Sequence, residues 1–117
     1  MKPLLKLVKN DTVLLNEIED ASSFFRRFMG LMYRKSLPRE RGLLLTPCNE
    51  IHTFGMRFDI DTVALSPEGE VLRIETVRPH KVRPKVDGAN RILELNAGET
   101  QELNITVGDI LEFTPAE

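Results

Sequence analysis

Tryptophan is absent from the 117 residues, and tyrosine and cysteine each occur once. No stretch approaches the ~20 consecutive apolar residues that a membrane helix requires. The single cysteine, Cys48, rules out an internal disulfide and any metal site built mainly from thiolates within one chain. The N-terminus MKPLLKLVKN carries too short an apolar run for a secretory signal, so a cytoplasmic location without membrane contact is expected. There is no glycine-rich phosphate cradle and no strand feeding a Gly-x-Gly turn, and no cofactor is expected. Four cations, Arg34, Lys35, Arg39 and Arg41, crowd one connection, but only Tyr33 stands beside them as an aromatic. That scarcity argues against stacking on nucleic-acid bases.

What is present has the composition of an ordinary globular protein, 41% hydrophobic and 29% charged. At 117 residues the length suits one domain over 1–117, since single domains cluster near ~100–150 residues. The net charge of −2 hides an uneven distribution. Residues 26–91 hold thirteen Lys or Arg against eight acids, net +5, whereas 92–117 hold six acids and no Lys or Arg, net −6. A basic middle attracts an acidic partner or a small anion unless the acidic end folds back over it.

Short alternating runs separated by turn residues dominate the chain. LLKLV at 4–8 and VLL at 13–15 flank Lys9-Asn10-Asp11-Thr12 and predict a hairpin. Asp20 is suited to cap a helix near 20–29, with Phe24, Phe25, Phe28, Leu31 and Met32 forming one apolar stripe and Gly30 a stop. LLL at 43–45 predicts a buried strand ended by Thr46-Pro47. IDTVAL at 60–65 and EVLRIETV at 70–77 predict a second hairpin around Ser66-Pro67-Glu68-Gly69. Residues 78–91, with two prolines, five cations and His80, predict an irregular loop, followed by a strand at 92–95, a helical turn near 98–103 and a last strand after Gly108-Asp109. The expected fold is therefore mainly β (α+β), a compact antiparallel sheet or small barrel with one short helix near 20–29.

Three blocks, FFRRFMGLMYRKSLPRERGLLL, CNEIHTFGMRFDIDTVAL and ILELNAGETQELNITVGDIL, occur in that order. Together they resemble the family known as domain of unknown function 192, over roughly residues 20–113. The resemblance implies a compact, mostly β domain with a short helix, widespread in bacteria and archaea. It implies no activity and no catalytic residue.

The chemistry-bearing residues concentrate in CNEIHTFGM at 48–56. Cys48, His52 and Met56 recur every four positions, a donor set that suits copper(I) better than zinc. In a regular strand such positions lie ~13 Å apart, too far to share an ion. Cys48 as nucleophile, His52 as base and Asp59 or Asp61 as orienter is a second reading, a hydrolase or thiol-dependent transferase, subject to the same distance objection. The densest reactive group is Cys48, His52, Thr53, Met56, Arg57, Asp59 and Asp61, facing the basic loop around His80. If Asp59 and Asp61 are structural, they are expected to cap a turn and pair with Arg57 or Arg73. The favoured expectation is a non-enzymatic binding or accessory module that presents the 46–61 segment and the 78–91 loop to a protein, peptide or small anionic ligand. The residues specify neither the partner nor an oligomeric state.

Overall fold

In a computed structural model, which describes residues 4–22 and 35–116, the alternating runs become nine strands and one helical turn. These are β1 (Leu4–Lys9), β2 (Thr12–Ala21), β3 (Arg41–Leu45), β4 (Ile51–His52), β5 (Ile60–Leu65), β6 (Val71–Val77), β7 (Val82–Arg83), β8 (Arg91–Asn96), α1 (Glu99–Glu102) and β9 (Glu112–Pro115). Seven strands form one sheet in the order β6-β5-β8-β3-β2-β1-β9, and β4 pairs with β7 in a separate two-stranded ribbon. The Cα radius of gyration is 12.8 Å.

Both predicted hairpins form, each for a local reason. Asn10 and Asp11 adopt φ of 51° and 64°, the left-handed pair that a tight two-residue turn between β1 and β2 demands. Between β5 and β6 the Ser66 hydroxyl accepts from the backbone N–H of Glu68 at 3.2 Å and of Glu70 at 3.0 Å. Gly69 follows at φ 90°, and a Cβ there would meet the Leu111 carbonyl oxygen at 2.3 Å. That close approach is functional for the fold. The Leu111 N–H donates to Gly69 O at 2.9 Å, the Val71 N–H to Asp109 O at 2.8 Å, and the Gly108 N–H to Val71 O at 2.9 Å. Residues 108–111 thus lie along the edge strand β6 and then run into β9, the strand at the opposite edge, so the curled sheet is drawn toward a barrel.

The inner face of this curl holds Leu15, Ile18, Leu44, Val63, Leu93 and Leu95 in one buried cluster with Leu111. The outer face is buried as well. Ala21, Leu43, Leu45, Ile60, Val77 and Ile92 lie under Leu37 and Met56, with Cys48, Ile51 and Phe58 packed at the margin. Burial on both faces explains why β5 is buried at all six positions and why β3 and β8 read as nearly continuous apolar runs. The register also aligns a row across the outer face, Glu19, Leu43, Glu94, Thr62 and Glu75, polar at every position but Leu43. Glu19 and Glu94 are buried and both are partnered.

Three expectations need correction. The sheet is mixed, because β2 and β3 run parallel from Glu17 beside Arg41 to Ala21 beside Leu45. Asp20 and Ala21 belong to β2 and do not cap a helix, since pairing with Leu44 and Leu45 prolongs the strand through them; positions 23–29 of the expected helix lie outside the described residues. The loop at 78–91 contains a regular element, β7, which a two-residue strand leaves invisible to periodicity. The helical turn at 98–103 is α1, and the strand at 92–95 is β8.

Candidate functional site

The outer layer is assembled from the two segments singled out by sequence. Backbone bonds lock them together: Cys48 N–H to Asn90 O at 2.9 Å, Val86 N–H to Asn49 O at 3.0 Å, and the β4–β7 pairing of Ile51 with Arg83 and His52 with Val82. Thr53 is the centre of this lock. Fully buried, its hydroxyl donates to Arg78 O at 2.7 Å and accepts from the Lys81 N–H at 2.8 Å, while its own N–H donates to Lys81 O at 2.8 Å. Its carbonyl accepts from the N–H of His80 at 2.9 Å and of Met56 at 3.2 Å. Thr53 therefore holds the predicted loop against the predicted segment, and His80, at φ 64°, is fixed by its backbone while its side chain is exposed.

Pairing on a strand sends alternate side chains to opposite sides. Ile51 and Arg83 project inward toward the sheet, and His52 and Val82 project to solvent. Phe54 joins the solvent side, with its ring centroid 5.5 Å from that of His52, and its N–H donates to His52 Nδ1 at 3.3 Å. Phe54 and Val82 are each about half exposed, at 50% and 56%. The same two segments carry the exposed cations Arg57, Arg78, Lys81 and Lys85, none of which forms an ion pair among the described residues.

The remaining site residues go elsewhere. Met56 is buried in the outer cluster, and Cys48 packs at that cluster's margin with its thiol donating to Glu50 O at 3.1 Å. His52 is exposed, so the three soft donors do not share one environment. Among the described residues no three His, Cys, Asp or Glu side chains gather in a manner suited to a metal. Asp59 is exposed just before β5. Asp61 is buried and does not pair with Arg57 or Arg73. One oxygen accepts from Thr76 Oγ1 at 2.7 Å, and the other from the N–H of Gly98 and of Thr100, both at 3.1 Å, and from Thr100 Oγ1 at 2.6 Å. These bonds anchor the start of α1 to β5, a structural role.

Among the described residues no ion pair joins the acidic C-terminal segment to the ribbon. Glu94 and Glu99 are buried, Glu102 pairs with Arg39, and Asp109 pairs with Lys9 at 2.9 Å. Sequence reasoning placed Thr53 in the reactive group but not at its centre, because that role rests on its burial against Arg78 and Lys81. It missed Phe54 and Val82, whose exposure depends on the ribbon. Neither carries a signal in the sequence beyond a hydrophobic residue near turn-forming neighbours.

Comparison with known proteins agrees with this architecture. A UPF0127 protein of Pyrococcus furiosus is 30% identical over 115 residues, covering 94% of this chain and 97% of that protein. A UPF0127 protein of Thermococcus sibiricus is 30% identical over 113 residues, covering 90% and 71%. The crystal structure of a candidate transcription regulator from Sinorhizobium meliloti superimposes with a TM-score of 0.79 at 24% identity, covering 97% of this chain and 94% of that one. A protein of unknown function from Novosphingobium aromaticivorans superimposes at 0.77 and 20% identity, covering 92% and 82%. At those identities the two structures speak to the fold alone. The family DUF192, described as Uncharacterized ACR, matches residues 6–113, and the chain belongs to that family.

Proposed function

We propose that this chain is a binding module whose outer ribbon docks an acidic peptide segment bearing an apolar anchor. The observation that carries the reading is the presence of exposed His52, Phe54 and Val82 in the same two segments as four cations that form no ion pair among the described residues. Solvent-exposed aromatic and branched side chains gain by removal from water, roughly 25 cal/mol for each Å² buried. A rim of unpaired positive charge selects an acidic occupant and speeds its encounter. Thr53 and the ribbon pairing keep these side chains in place before binding, which lowers the ordering cost of association. The reading extends over the whole of 1–117 as one domain and includes a cytoplasmic location, which a single thiol suits.

The test is selection of ligands from a displayed random-peptide library, followed by affinity measurement with the Phe54→Ser/Val82→Ser double variant. Enriched peptides should combine Asp or Glu with Leu, Ile or Phe. Their affinity should fall at least about tenfold in the variant, in line with truncating anchor residues. Enrichment of basic or neutral peptides, or unchanged affinity in the variant, would contradict the reading.

A further inference from the structure

Five large hydrophobic side chains are exposed among the described residues, and they fall into two groups. Phe54 and Val82 belong to the ribbon. Val13, Val107 and Ile110, at 45%, 63% and 51%, belong to the segment that closes the sheet and to the hairpin beside it. The register puts most of this second group on one outward face. Ile110 bridges Glu70, so their side chains project to the same side. Leu111 turns inward and is buried, which sends Glu112 outward with Ile110. Val8 lies opposite both Glu112 and Val13 and carries that face across β1 to β2. Val107 lies in the turn just before Ile110 and is the most exposed of the five.

The charge on this face has the sign opposite to that of the ribbon segments. Glu70 and Glu112 are exposed and form no ion pair among the described residues. Of the cations on β1, Lys9 is engaged by Asp109 at 2.9 Å and Lys6 is half-buried opposite Thr114. Residues 107–112 read VGDILE, an acidic segment with exposed apolar anchors, which is the class of occupant proposed for the ribbon. One chain cannot close the contact on itself. Glu70, opposite Ile110, and Arg78, bonded to Thr53, flank the two ends of β6, about 25 Å apart at ~3.3 Å per residue.

We propose that the occupant is a second copy of this chain, whose closing face of Val107, Ile110, Glu70 and Glu112 docks on Phe54, Val82 and the cations of the ribbon segments. This rests on the docking reading above and names its partner. Apolar anchors meet apolar anchors and acids meet cations, whereas ribbon on ribbon would set cation against cation and closing face on closing face acid against acid. The contact therefore joins two unlike surfaces of the chain.

The test is sedimentation velocity of the full chain over a concentration series. Mass should rise with concentration, with a Kd on the order of 0.1 mM as fits a small transient contact, and the association should weaken several-fold in about 0.5 M sodium chloride. Phe54→Ser/Val82→Ser and Val107→Ser/Ile110→Ser should each sediment as monomers. An equimolar mixture of the two should form a 1:1 dimer and nothing larger, because one intact ribbon then meets one intact closing face. Should the second variant fold poorly, Glu70→Lys/Glu112→Lys, changed only at exposed side chains, takes its place in the mixture. A chain that stays monomeric to millimolar concentration, variants that associate like the wild type, or a mixture that stays monomeric would overturn the proposal. The mixture is read without any peptide, so acidic peptides that bind the ribbon of a chain with no self-association would overturn this proposal alone and leave the docking reading standing.

Discussion

The two faces of the curled sheet are both buried, yet by different means. On the inner face, Leu15, Ile18, Val63, Leu93 and Leu95 interdigitate within a sheet whose edges are joined through Gly69 and Leu111. On the outer face, a ribbon of two short strands is held by backbone hydrogen bonds around one threonine, and arginine and glutamate stand beside the apolar residues. Water exclusion by close-packed aliphatic side chains tolerates little change. A layer held by a few hydrogen bonds can present varied side chains outward. On the proposed reading, stability is concentrated in the first region and recognition in the second.

The largest predicted effect breaks the inner face. Leu93 is fully buried in the middle of β8, and Leu93→Ala should cost about 3 kcal/mol, read as a lower urea midpoint for cooperative unfolding. Next, Thr53→Val keeps the shape but removes the hydroxyl that both donates to Arg78 O and accepts from Lys81 N–H. It should cost roughly 1–3 kcal/mol, because two partly buried backbone groups lose a partner. Trypsin should then cut after Lys81 or Lys85 several-fold faster, with little change in the core; Arg78 and Arg83 precede proline and resist it.

The smallest effect is electrostatic and belongs to the segment that closes the sheet. The hydrogen bond from Lys9, with that from the Thr106 N–H, holds the Asp109 carboxyl below its ordinary value of 3.8. A lowered folded value means that the interaction stabilises the native state fully above the unfolded value and is lost as pH falls through the folded one. Asp109→Asn should therefore flatten part of the stability loss below about pH 4 and cost under about 1 kcal/mol at neutral pH. Urea midpoints across pH for the two chains measure it.

Much of the sheet was legible because its signals are local. Asn10-Asp11 and Ser66 to Gly69 each contain the chemistry of their turn, and 92–95 and 98–103 carry their own patterns. The parallel pairing of β2 with β3 was not legible, since contact between Glu17–Ala21 and Arg41–Leu45 depends on distant pairing that no local pattern encodes. The same cause misread Asp20, which is an apt cap by type but is drawn into the strand by Leu44. The two segments of the candidate site were identified by their density of polar residues. Within them, Asp61 and Thr53 were both named as reactive, whereas folding makes Asp61 the anchor of α1 and Thr53 the join between the segments. The contact of Arg73 and Arg83 with Glu75 needs β6 beside β7, a neighbourhood that exists only after folding.

Native-state hydrogen exchange tests the division between the two regions most directly. The amides of Thr53 and His80 should exchange through local opening of the ribbon, with a smaller free energy than global unfolding. Those of Leu44, Val63 and Leu93 should exchange only when the whole sheet unfolds. A single opening free energy shared by all five amides would contradict the account, because the ribbon would then be part of the same cooperative core.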